Sequence, residues 1–250
     1  MPPNSEFVDQ PSNRAESFAT THWSVVVAAG LSDSPQSRDA FRALCELYWF
    51  PVYSFVRRTG QQIEDARDST QEFFLFLLNK RSIGRADPER GRFRAFLLTS
   101  LKNFLANQRK KVATQRRGGR LKFLSLDYES GEFRYRIEAA HDLTPEKLFE
   151  RQWVLTLLEH VLDKLKTEHA LAGHELQFDE LKGTITGKLS SAEYQRTARV
   201  LGITEAAVKQ LAYRLRKRYR DLFRLEVGRT VESETEIDEE IGRLLGILRE

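Results

Sequence analysis

The sequence predicts an all-α chain: two small helical domains joined by a flexible linker, the second containing a helix-turn-helix. Three observations carry this. Apolar residues recur every three or four positions over 38–58, 63–80 and 93–111, and no stretch reads convincingly as a sheet. Residues 113–144 then lose the period and contain Gly118, Gly119 and Gly131, which reads as a linker. Finally, residues 194–220 place Ala198, Gly202, Val208 and Leu211 where two short helices must touch across a tight turn.

The elements follow in order. Residues 1–19 are polar, carry Pro2, Pro3 and Pro11, and are expected to be disordered. Residues 21–29 read as a short helix capped by Thr20 or Thr21 and anchored by Trp23. They belong to a first domain spanning 20–112. Its helix over 38–58 should kink or break at Pro51, which lacks a backbone donor. Gly60 opens the turn to a helix over 63–80. Glu64, Asp65 and Asp68 crowd its first turns, where the dipole favours acids, and Phe73, Phe74, Phe76, Leu77 and Leu78 form its apolar side. Residues 82–91, punctuated by Gly84, Pro88 and Gly91, form a loop. The third helix, 93–111, repeats Phe93, Phe96, Leu97, Leu101, Phe104 and Leu105. That stripe reads as packed core before it reads as a platform for stacked bases.

Within the linker, 122–126 is a candidate extended run. Thr144 then caps, and Pro145 starts, a helix to about residue 168 that buries Leu148, Leu155, Leu158, Leu162 and Leu165. A short helix over 176–181 and the helix-turn-helix complete a second domain at 145–227. An acidic tail, 228–250, follows. Ile237, Ile241, Leu244, Leu245, Ile247 and Leu248 lie there at helical spacing, so the tail predicts an amphipathic helix. Such a helix either packs on its own domain or covers a basic DNA-binding face and damps binding.

Charge placement is more informative than the net charge of +4. Residues 102–122 hold eight Lys or Arg and no acid, and 209–220 hold six and none, whereas 226–250 hold eight acids against three bases. Two separated basic blocks point to two contacts with a polyanion. The single cysteine, Cys45, sits in an apolar segment, so no internal disulfide is possible and a buried hydrophobe is expected. The absence of a signal-peptide pattern and of any long apolar run predicts a cytoplasmic chain with no membrane partner. His160, His169 and His174 fit no common zinc spacing, there is no glycine-rich phosphate loop, and Cys45 has no companion base. No catalytic residue, metal or cofactor is therefore expected, and the chain is not predicted to be an enzyme.

Three motifs in fixed order carry a family resemblance. The first is Asp65-Ala66-Arg67-Asp68-Ser69-Thr70-Gln71-Glu72-Phe73-Phe74. The second is Phe93-Arg94-Ala95-Phe96-Leu97 leading through Lys102 and Asn103 to Arg109, Lys110 and Lys111. The third runs from Ala198 to Arg218. Over residues 20–225 the chain resembles a two-domain sigma factor of bacterial RNA polymerase, of the extracytoplasmic-function type in the sigma-70 family. It departs from the pattern at 161–187, which lacks the usual Leu-Pro and is longer, and in its acidic tail.

The resemblance implies an alternative sigma factor whose partners are the core polymerase and promoter DNA, both duplex and melted. An anti-sigma factor or other regulator is a further candidate partner. Asp65, Asp68, Gln71 and Glu72 would dock on the coiled-coil of the large polymerase subunit. Residues 82–92 would capture a flipped base of the −10 element. Arg85, Arg90, Arg92 and Arg94 would meet phosphates there, Asn103 a base edge or backbone, and Arg109, Lys110 and Lys111 the duplex just upstream. Thr204, Glu205, Ala206, Lys209, Gln210 and Tyr213 would read the −35 element, while Arg214, Arg216, Lys217 and Arg218 grip phosphates. The alternatives are a stand-alone helix-turn-helix regulator, which leaves the Asp65–Phe74 motif unexplained, and an interaction protein, which the basic blocks oppose.

Overall fold

The computed structural model describes Val26, Ala29 and residues 34–79, 82–87, 91–112, 127–138, 143–187, 189–231 and 233–249. The disorder expected at 1–19 and the extended run at 122–126 lie outside the described residues. Of the helix expected at 21–29, Val26 and Ala29 are described, helical and buried. All regular structure among the described residues is helical, in agreement with the all-α class. The helices are α1 (Pro35–Arg58), α2 (Ile63–Asn79), α3 (Phe93–Val112), α4 (Tyr128–Glu138), α5 (Pro145–Leu171), α6 (Glu175–Leu181), α7 (Ser191–Leu201), α8 (Glu205–Gly228) and α9 (Ile237–Arg249). Tight 3-10 turns occupy Ser82–Arg85, Lys182–Thr184 and Glu234–Glu236.

Helix α1 starts three residues before the periodicity suggests. Ser34 accepts a hydrogen bond from the Ser37 amide at 3.1 Å, and Pro35 fills a first position that needs no donor. Pro51 does not break it, which corrects that half of the expected kink or break. The helix runs through Pro51 because the residues on either side, Phe50, Val52 and Tyr53, are essentially fully buried. Burial of such side chains contributes about 1.5–3 kcal/mol each, enough together to offset the roughly 3 kcal/mol that an interior proline costs. Helix α2 packs on α1, and Phe73, Phe74 and Leu77 reach the core as expected. Phe93, Leu97, Leu101 and Leu105 of α3 are buried too, and Tyr48 meets Phe93 edge-on at 5.5 Å. Phe96 and Phe104 of the same stripe are half-buried and pack against this core.

The segment expected to be a linker contains α4. Local signals for it are weak, since Gly131 disfavours a helix interior. Docking on α1 compensates. A Cβ at Gly131 would lie 2.8 Å from Trp49 Cη2, so only glycine permits this approach. Tyr128 packs edge-on against Trp49 and Tyr53, with ring centroids 5.7 and 5.4 Å apart. Glu132 accepts hydrogen bonds from Tyr53 Oη at 2.6 Å and from both Nε and Nη2 of Arg57 at 3.0 Å. Burial pushes the Glu132 carboxyl up, but the bonds from Arg57 and Tyr53 outweigh it and hold the group below the ordinary glutamate value.

Thr144 caps α5 as expected, accepting from the Lys147 amide. Its buried face differs from the expected one. Phe149, Trp153, Leu157 and Val161 are fully buried with Leu148 and Leu165, whereas Leu155, Leu158 and Leu162 are only half-buried. The reason is position: α5 lies along α1 on one side and meets α8 and α9 on another, so it has no single apolar stripe. Buried residues from both expected domains join one hydrophobic cluster. Polar ties reinforce it: Arg58 donates to the Leu143 carbonyl at 2.8 Å, and Lys102 pairs with Glu146 at 2.8 Å.

Candidate nucleic-acid and partner interfaces

The acidic motif lies on the outer side of α2. Asp65, Asp68 and Glu72 are exposed and Gln71 is half-buried, while Ala66, Thr70 and Phe73 between them face inward. The Thr70 hydroxyl donates back to the Ala66 carbonyl at 2.7 Å, which satisfies a buried polar group locally. Two of the four expected docking residues are engaged within the chain. Glu72 accepts from Gln108 Nε2 of α3 at 2.8 Å, and Gln71 hydrogen-bonds Tyr128 of α4. Asp65 and Asp68 form the outermost part of this face.

The basic end of α3 presents Asn103, Arg109 and Lys110 to solvent, opposite the stripe formed by Leu97, Leu101 and Leu105. Lys111 is helical, but its side chain lies outside the described residues, as does Arg90. Arg85 is exposed at the end of the Ser82–Arg85 turn, which Ile83 anchors in the core.

Arg92 and Arg94 are placed differently from the other expected phosphate ligands. Arg94 is 3% exposed and hydrogen-bonds Glu240 of α9. Its guanidinium also lies 4.5 Å from the centroid of the Trp153 ring. Arg92 Nη2 meets the other Glu240 oxygen at 2.6 Å. Arg243 adds a third guanidinium, 3.0 Å from Glu240, and reaches Glu150 at 3.4 Å. Burial lowers the pKa of Arg94 and raises that of Glu240, and in each case the opposite charge pulls against burial. As folded, Arg94 is therefore not available to a phosphate, because the acidic tail occupies it. A sequence signal for this did exist. Arg94 is in helical phase with Leu97, Leu101 and Leu105, and Glu240 with Ile237, Leu244 and Ile247, so each charge sits on its helix's apolar stripe.

Helices α7 and α8 are joined by a three-residue turn, Gly202 to Thr204. Gly202 sits at φ 65, the left-handed conformation that ends a helix and favours glycine. At the other end of α7, Ser190 and Glu193 form a reciprocal capping box. Thr204 caps α8, its hydroxyl accepting from the Ala207 amide at 3.2 Å. Val208, Ala212 and Leu215 face the core. Ala206, Lys209, Gln210, Tyr213, Arg214 and Lys217 are exposed along the outer side, and Glu205 is half-buried. The Lys209 ammonium lies 5.6 Å from the Tyr194 ring centroid. Arg216 lines a cleft of about 500 Å³ with Thr184, Ile185, Gly187 and Tyr194. Arg218 is held by Glu168 of α5 at 2.6 and 2.9 Å, so that charge is turned toward its own scaffold.

Cys45 is fully buried, as expected, and burial pushes its thiol pKa well up. Among the described residues, no helix is long and apolar enough to cross a membrane. No protein-family model, no curated protein and no solved structure matches this chain.

Proposed function

We propose that this chain is an alternative sigma factor of the extracytoplasmic-function type, which binds core RNA polymerase and directs it to promoters. The reading rests on the three motifs and on one structural observation. The acidic motif on α2, the basic end of α3 and the polar face of α8 are each on an outer helix surface, with their apolar partners turned inward. The α2 face would meet polymerase. Asn103, Arg109 and Lys110 would contact −10 DNA, and the α8 face beginning at Thr204 would enter the major groove at the −35 element. The two-domain division and the helix-turn-helix belong to this proposal.

A second reading has a specific observation in its favour. Arg92 and Arg94 are engaged by Glu240 while the α8 face remains open. A regulator that binds duplex DNA through α8 alone would need no more than that. Size exclusion of the chain with purified bacterial core polymerase separates the two. The sigma reading requires co-elution, lost or weakened when Asp65→Lys and Asp68→Lys are combined. Because both side chains are exposed, the double variant leaves the core intact. Absence of co-elution together with tight polymerase-free duplex binding would favour the regulator.

A further inference from the structure

Helix α9 is fastened at both ends and along its length. Arg94 of α3, and Arg92 just before that helix, hold Glu240 near its start. Arg224 of α8 pairs with Asp238, two residues earlier in the same turn. Leu244 is fully buried in the middle. At the far end, Arg151 of α5 donates to the Leu248 carbonyl at 3.1 Å, satisfying an acceptor that the helix itself cannot. One short acidic helix therefore ties together α3, α5 and α8.

The Glu240 contact is chemically unlike the others. A fully buried carboxylate receives two guanidiniums from the very segment assigned to phosphate contact in the proposed function. A carboxylate and a phosphate each present arginine with two closely spaced anionic oxygens, which its fork can accept. Such a buried ion cluster has little net stability relative to other satisfied arrangements, because desolvation offsets the Coulomb attraction. Exchange of one anion for another is then nearly balanced, whereas simple loss of the anion is not. Those are the properties of a displaceable stand-in.

We propose that α9 is an intramolecular gate, in which Glu240 occupies the place of DNA phosphate at Arg92 and Arg94. The gate closes the melted-strand surface in the free chain, and displacement of α9 by a polyanion or a docking partner opens it. This rests on the proposed function for the identity of the surface, though the charge competition itself does not require polymerase.

The test is fluorescence anisotropy of the full chain with a fluorescein-labelled single-stranded DNA of random sequence, across a salt series. Glu240→Gln keeps the shape and removes the charge. It should bind several-fold tighter than the parent chain. Its plot of log affinity against log salt should also be steeper by about 1.4, the value for two regained phosphate contacts on a single strand. Adding Arg92→Ala and Arg94→Ala should abolish both gains. Arg151→Ala, which loosens the far end of α9 without touching the cluster, should shift affinity in the same direction and serves if Glu240→Gln folds poorly. Unchanged affinity and slope in the folded variants, or a gain that survives removal of both arginines, would overturn the gate. Co-elution with core polymerase, run on the same preparations, judges the function separately. A parent chain that ignores polymerase but shows the gate effect loses the sigma reading and keeps the gate.

Discussion

Arg94 and Glu240, 146 residues apart in sequence, form an ion pair that solvent barely reaches, and the Trp153 ring lies under the guanidinium. Removing Glu240 strands the buried Arg94 charge, whereas removing Arg94 leaves Glu240 paired with Arg92 and Arg243. Glu240→Ala should therefore destabilise the chain by about 3 kcal/mol, and Arg94→Met with Glu240→Leu, which removes the buried pair at similar volume, by much less. Urea unfolding of the two variants measures this. Equal losses in both would mean that the packing of the side chains, and not the charge balance, holds this junction.

Glu132 makes stability pH-dependent in a direction that can be stated. Its pKa in the fold lies below the ordinary glutamate value, because the bonds from Arg57 and Tyr53 outweigh burial. A depressed carboxyl pKa stabilises fully above the unfolded value and loses that contribution as pH falls through the folded one. Glu132→Gln should cost roughly 2 kcal/mol at neutral pH, and the gap to the parent chain should close as the solution is acidified below pH 4.5. Unfolding free energies at a series of pH values would show the two curves converging. Arg136, 3.4 Å away on the same helix, belongs to the same cluster, and its replacement should shift the convergence upward.

Gly131→Ala tests how α4 is seated. The added methyl would meet Trp49 Cη2 and Cζ3 at 2.8 and 2.9 Å, inside contact distance. Alanine is a better helix former than glycine by roughly 1 kcal/mol, so an isolated α4 would gain. In the folded chain overpacking should win and cost about 1–3 kcal/mol, with a change in tryptophan emission as Trp49 moves. A net gain in stability would show that the indole yields freely.

The α8 face carries a quantitative expectation for duplex binding. Lys209, Arg214 and Lys217 are exposed on one stretch of that helix. If each neutralises one phosphate, each alanine substitution should flatten the log–log salt dependence by about 0.9. Tyr213→Ala should instead weaken binding with little change in slope. Arg218→Ala should flatten the slope less than these, because its charge is already paired with Glu168.

Much of the fold was legible in the residues themselves. Thr144 and Pro145 start α5, and Gly202 ends α7, because caps and left-handed turns depend on a few adjacent residues. The outward placement of Asp65, Asp68, Asn103, Arg109 and most of the α8 set follows from helical phase against strongly apolar stripes. Tertiary structure alone decided the rest. Continuity through Pro51 depends on burial of the flanking aromatics, and α4 exists where Trp49, Tyr53 and Arg57 of another helix receive it. The buried face of α5 was illegible because packing partners on several sides leave no single stripe to read. Helical phase put Arg94 on an apolar stripe, but its partner was not legible. The energy of a charge depends on what lies within a few ångströms of it, and here that neighbour is supplied by the last helix of the chain.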